Sequence, residues 1–177
     1  MKSKGLLLIL LLMVTFVFAG CTENTSIDFY LNESVDTISV GETYDDPGVT
    51  AIINGFDYHT EVTENTVDTS ETGIYHITYT LHHLDRTLTL TRVVTVIDDT
   101  PPTITLNPGK DTLTTGETWT DASVEVTDNT EGPIDIDIIG SVDTSTPGTY
   151  EITYVATDDY ENQNHLTRIV TVLDDSQ

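Results

Sequence analysis

Positive charge is scarce in this chain. Six Lys and Arg stand against 30 Asp and Glu, a formal net charge of −24 over 177 residues. Phosphate binding needs clustered Lys and Arg, so nucleic acid is excluded as a partner. Adhesion to anionic lipid through charge is disfavoured for the same reason. There is one cysteine, Cys21, so no disulfide can staple the fold. The longest apolar run, residues 5–19, is shorter than the roughly 20 residues of a membrane span. No window after Ala19 carries the period of a long amphipathic helix. The chain has no G-x-S-x-G, no second thiol and no H-E-x-x-H, so catalysis is not expected. Carboxylates that alternate along a strand, such as Asp135 and Asp137, read as its wet face rather than as an acid–base pair.

Lys2 and Lys4 precede the apolar run, and Phe18-Ala19-Gly20-Cys21 follows it. A basic start, an apolar stretch and small residues before a cysteine have the form of a secretory signal. The cysteine at its end resembles the lipid-attachment site of bacterial lipoproteins. Ala19 and Gly20 leave room for a peptidase at the backbone, and the Cys21 thiol is the nucleophile that takes the lipid. The expected divisions are 1–20 signal peptide and 21–28 lipidated cysteine and tether. The expected location is the extracellular side of the cell membrane, with the membrane as a partner through the N-terminal lipid. Without the signal, four basic residues face 30 acidic ones, a charge of about −26.

The remainder repeats itself. Gly41-Glu42-Thr43-Tyr44 recurs as Gly116-Glu117-Thr118-Trp119, and Val67-Asp68-Thr69-Ser70 as Val142-Asp143-Thr144-Ser145, both at an offset of 75. Gly73-Ile74-Tyr75 recurs at the same offset as Gly148-Thr149-Tyr150. Arg92-Val93-Val94-Thr95-Val96 recurs as Arg168-Ile169-Val170-Thr171-Val172 at 76, which places one inserted residue in a loop. Each copy reads as strands: Tyr150, Ile152, Tyr154 and Ala156 alternate with Thr149, Glu151, Thr153 and Val155. Thr occurs 34 times and favours strands. Six or seven short strands per copy predict an all-β protein of two tandem immunoglobulin-like antiparallel β-sandwiches, at 29–99 and 103–175. Pro101-Pro102 restrict the junction to an extended form.

The segment from Asp143 through Gly148, Tyr150, Ile152 and Tyr154 resembles the approach to strand F of immunoglobulin-like domains. Tyr75 and Tyr150 are then candidates for the tyrosine corner. Pro102, Ile104, Leu106, Asn107, Gly116-Glu117-Thr118, Asp128-Asn129, Gly148-Thr149-Tyr150, Ala156-Thr157-Asp158 and Asn162 together resemble the bacterial Ig-like module of the Cry22Aa pesticidal-crystal-protein type. That module has Asp-x-x-Gly-Asn after its strand, whereas this chain carries Glu161 in place of the Gly. The resemblance implies a surface module that binds or spaces, with no catalysis.

In such a topology the B–C and F–G loops share a pole. For the second copy this gathers Asp98, Asp99, Asp128, Asn129, Asp158, Asp159 and Asn162 as candidate ligands for Ca²⁺, which takes six to eight oxygens. The same residue types are ordinary in turns. Tyr160, in the same loop, is the candidate contact to a surface glycan or protein. Tyr44 and Trp119 match across the copies and are expected to pack in or beside the cores. Arg92 and Arg168 also match, and are expected to pair with module carboxylates such as Asp46 and Asp121. The histidines are expected to be exposed strand residues, since His82 and His83 point to opposite faces.

Overall fold

The computed structural model describes residues 25–175, and every regular element among them is a strand. The expected lipidation site, Cys21, lies outside the described residues. The chain divides into two units, the first ending at Ile97 and the second starting at Asp98.

The first unit contains β1 (Ile27–Leu31), β2 (Thr37–Ser39), β3 (Val49–Ile53), β4 (Phe56–Asp57), β5 (Glu61–Asn65), β6 (Gly73–His83) and β7 (Arg86–Ile97). They form a three-stranded sheet of order β1-β3-β4 and a four-stranded sheet of order β2-β7-β6-β5. All pairings are antiparallel except β2 with β7. The second unit repeats this plan with β8 (Thr103–Leu106), β9 (Thr112–Thr114), β10 (Val124–Thr127), β11 (Asp135–Ile139), β12 (Gly148–Thr157) and β13 (Gln163–Leu173). Its sheets are β10-β8 and β11-β12-β13-β9, with β9 again parallel to β13. These are two β-sandwiches, and the expected fold class holds.

The period of two decides which face is buried. In β12, Ile152, Tyr154 and Ala156 are buried and Glu151, Thr153 and Val155 are not. In β6, Ile77, Tyr79 and Leu81 do the same. These residues and Val94, Ile27, Phe29, Ala51 and Ile53 form one core, while Leu113, Val170 and Val172 anchor the other. Tyr44 and Trp119 pack against those cores, as their recurrence predicts. The edge strand β11 departs from the simple pattern. Ile136 and Ile138 sit opposite Ala156 and Tyr154, on the inward face, yet remain 42% and 54% exposed. The facing sheet has two strands against four, so the edge strand overhangs it.

Each repeated motif has a local structural task. Tyr75 donates from its hydroxyl to the Glu71 carbonyl at 2.9 Å and Tyr150 to the Thr146 carbonyl at 2.8 Å, so both tyrosine corners are formed. Asp68 and Asp143 accept from the backbone N–H two residues on, at Ser70 and Ser145. Glu42 and Glu117 close the turns after β2 and β9 by accepting from the Ser39 and Thr114 N–H groups. Lys110 pairs with Glu117 and holds its carboxyl below the usual range.

The two matching arginines, Arg92 and Arg168, are fully buried, at 1% exposure each. Arg92 donates to both Asp36 oxygens at 3.1 and 3.2 Å and to the carbonyls of Asn32 and Gly48 at 2.9 Å. Its Nε lies 3.3 Å from Asp46 Oδ1, outside hydrogen-bond geometry. Arg168 repeats the set on Asp111 at 2.9 and 3.0 Å, Asn107 at 2.8 Å and Ser123 at 3.0 Å, and its Nε donates to the Tyr154 hydroxyl at 3.2 Å. Tyr79 and Tyr154 each donate to Oδ1 of Asp46 and Asp121 at 2.5 Å. Burial and that hydrogen bond push the Tyr79 phenol up to about 12. The carboxylates Asp46 and Asp121 are those named from sequence. Asp36 and Asp111 were not named, although they also recur at an offset of 75 and so carried the signal.

The carbonyl that each arginine takes from the third strand's approach belongs to a left-handed residue: Gly48 with φ 69° and Ser123 with φ 62°. Glycine adopts that conformation freely and serine does not, so the second copy accepts strain to keep the contact. Breaking a buried ion pair costs about 3–5 kcal/mol, because the remaining charge is stranded. Arg168→Gln is therefore expected to lower stability by about 3 kcal/mol, read by denaturant melting. Unchanged stability would mean that the arginine does not hold the unit.

Candidate metal centre

Three carboxylates meet at one pole of the second unit. Asp98 and Asp99, the last residues of the first module by sequence, fall within this unit. Asp98 opens it, Asp128 follows β10 and Asp158 follows β12. Asp98 and Asp158 are buried, at 7% and 6% exposure, and Asp128 is half-buried. One carboxylate oxygen of each lies within 4.8 Å of those of the other two.

Each carboxylate is positioned by short-range bonds. Asp158 Oδ1 accepts from the backbone N–H of Tyr160 at 2.9 Å and of Asn162 at 2.8 Å, and Oδ2 accepts from Asn162 Nδ2 at 2.9 Å. This folds 158–162 into a tight turn, closed by Asp158 N–H on the Asn162 carbonyl at 3.1 Å. Glu161 sits in the turn at φ 69°, the left-handed conformation for which glycine is suited. The turn forms with Glu in that place. Asp98 accepts from Thr100 N–H at 3.0 Å and from the Thr130 hydroxyl at 2.6 Å. Its carbonyl accepts from Asn162 Nδ2 at 3.3 Å, which ties the start of the unit to the turn. Asp128 Oδ1 accepts from the Asn129 N–H at 2.8 Å.

The geometry suits a hard dication. Ca²⁺–oxygen distances are about 2.3–2.6 Å, so oxygens on opposite sides of one ion lie about 5 Å apart. Carboxylate oxygens within 4.8 Å of one another can therefore share one ion. A carboxylate oxygen has two lone pairs, so an accepted hydrogen bond leaves capacity for a cation. Of the seven residues named from sequence, the structure brings together Asp98, Asp128, Asp158 and Asn162. Asp99, Asn129 and Asp159 are exposed, and Tyr160 is 43% exposed. Thr130, which holds Asp98, was missed; a threonine in a turn carries no signal before the turn is folded.

Among the described residues the first unit has no such trio. Ile53 stands where Asp128 does, and His83 where Asp158 does. Among the described residues no histidine group gathers into a metal cluster. His82 Nδ1 meets the Thr87 hydroxyl at 3.0 Å, and His83 stacks edge-on against Tyr58 with ring centroids 5.2 Å apart.

Burial raises the Asp128 carboxyl above the usual range. The Asn129 N–H opposes that shift, and the charges of Asp98 and Asp158 add to it. A carboxyl whose folded pKa is raised costs stability at neutral pH, and that cost is relieved as pH falls through the folded pKa. Asp128→Asn is expected to raise the melting temperature in metal-free buffer at neutral pH. The gain should vanish in acid, where the native carboxyl is already neutral. Melting curves across pH 3–8 (roughly the range spanning carboxylate titration) check this, and an unchanged or lowered neutral-pH melting temperature would contradict it.

Two stacked sheets, a parallel second strand, a formed tyrosine corner and a buried arginine define each unit as an immunoglobulin-like sandwich carrying acidic loops. Residues 31–96 and 104–172 match the family described as bacterial surface protein, Ig-like domain, and the chain belongs to that family. No curated protein matches the sequence. Among solved structures it is similar to the crystal structure of the lipoprotein BT2262 from Bacteroides thetaiotaomicron, at 18% identity and a TM-score of 0.37, over 81% of this chain and 80% of that one. That likeness is too distant to transfer a role.

Proposed function

We propose that this is a lipid-anchored, non-catalytic protein on the extracellular side of the cell membrane, whose Ig-like modules, akin to the Cry22Aa type, bind or space. One observation carries the reading: the two copies keep their framework and differ at one pole. The arginine, its aspartates, the tyrosine corner and the turn-closing glutamate recur in both units. The pole carries Ile53 and His83 in one copy and Asp128 and Asp158 in the other. Rigid scaffolds with divergent loops are how such folds recognise partners. Membership in a family of bacterial surface proteins supports the location, and the Cys21 motif supports the anchor. Expressed in a bacterium with lipoprotein processing, the chain is expected to carry diacylglyceryl on Cys21 and to fractionate with membranes. Cys21→Ser is expected to abolish both. Membrane retention of the serine variant would refute the anchor.

The acidic trio favours a second reading, in which Ca²⁺ stiffens the second unit for adhesion. Three protein carboxylates with solvent completing the shell suit the weak end of calcium affinity, a Kd of about 0.1–1 mM in extracellular modules. At 100 Kd a ligand adds about 2.7 kcal/mol to stability. Millimolar Ca²⁺ is therefore expected to raise the melting temperature by several degrees, and Asp128→Asn to cancel the rise. No rise at 10 mM (about 100 times the tighter Kd) would rule this reading out.

A further inference from the structure

The pole of the first unit carries the opposite chemistry, namely exposed apolar side chains. Leu84 is 88% exposed at the tip of the β6–β7 hairpin, in a left-handed conformation of φ 55°. Phe56 is 73% exposed and Tyr58 41%. Phe56 follows the Asn54-Gly55 turn, and Tyr58 lies two residues on, held by its N–H on the Ala51 carbonyl at 2.9 Å. The contact of Tyr58 with His83 joins this segment to the hairpin tip, so the three apolar groups share one end of the unit. An exposed leucine at positive φ is a poor choice for a hairpin turn, where Asn or Gly is at home.

The start of the unit leaves from the same end. Ser26 N–H donates to Asn54 Oδ1 at 3.0 Å, and the Ser26 carbonyl accepts from Asn54 N–H at 3.0 Å. Five residue steps separate Cys21 from Ser26, a reach of at most about 18 Å when fully extended. A lipid on Cys21 therefore holds this end, and no other end of the unit, next to the bilayer. Aromatic and leucine side chains partition into the headgroup boundary, where apolar area and an amphipathic ring are both accommodated.

We infer that Phe56, Tyr58 and Leu84 form a membrane-contact tip that inserts into the interface of the bilayer holding the Cys21 lipid, and so fixes how the first unit stands on it. This rests on the lipid-anchor reading. The contact is apolar rather than electrostatic, in keeping with the acidic charge of the chain, and a neutral lipid surface suffices for it.

The test uses the full lipidated chain in phosphatidylcholine vesicles. Acylated Cys21 has no free thiol, so a cysteine introduced by Leu84→Cys takes an environment-sensitive dye alone. Glu71→Cys serves as control, since Glu71 precedes the other end of β6, about 33 Å away at 3.3 Å per residue. Vesicle binding is expected to shift the emission of the dye at 84 to the blue and protect it severalfold from an aqueous quencher, leaving the dye at 71 unchanged. Phe56→Ser, which removes mostly exposed surface, is expected to reduce that protection. Equal quenching at 84 and 71, with the acyl mass present on Cys21, would overturn the tip and leave the anchor standing. Full protection in the Phe56→Ser chain would also overturn it, since the cluster would then play no part. Absence of the acyl mass would overturn the anchor and the tip together.

Discussion

Each sandwich depends on one buried guanidinium. Arg92 and Arg168 reach from the last strand to carbonyls that follow the first strand and precede the third, and to carboxylates before the second and third. The segments after the first strand, before the second and before the third converge on one planar group with five donors. Family relatives of immunoglobulin type often tie their sheets with a disulfide, worth about 2–5 kcal/mol in a small domain. Here Ile77 and Ile152 occupy the matching strand positions, buried at 1% and 2%. Removing the arginine is expected to cost about as much as losing such a disulfide, because it strands the partner carboxylates.

That tie also explains the charge. Four basic residues remain beyond the signal-like segment, and two of them are consumed inside the cores. Lys110 is spent on Glu117. Most acidic side chains therefore face solvent with no cation to balance them. Where three meet, as at Asp98, Asp128 and Asp158, burial raises the Asp128 carboxyl and the neighbouring charges add to the rise. The donors from Thr130, Asn162 and the turn backbone hold these carboxylates in place, in a turn that carries Glu161 at a left-handed φ.

With framework polar groups committed, the pole loops are the part of each copy free to change without unfolding it. One copy has become apolar at that pole and the other acidic. The hairpin that is two residues long in the first unit is a five-residue, hydrogen-bonded turn in the second. Duplication thus preserved what folds and diversified what meets the surroundings.

The repeat and the period of two were enough to read two all-β sandwiches, the tyrosine corners and one carboxylate of each arginine clamp. These depend on local spacing, and local spacing survives in a sequence. The loop pole was legible as a set of acidic residues sharing one end of a known topology. Which of them converge was not, because Asp98, Asp128 and Asp158 are brought within 4.8 Å only by strand pairing, while Asp99 and Asp159 alternate outward. The exposed Phe56 and Leu84 could not be told from core residues by their letters. The sequence by itself determined the strands, the duplication and the charge, through side-chain alternation and composition. Only the tertiary structure decided what stands beside what, because burial and convergence are properties of the packed sheets and their turns.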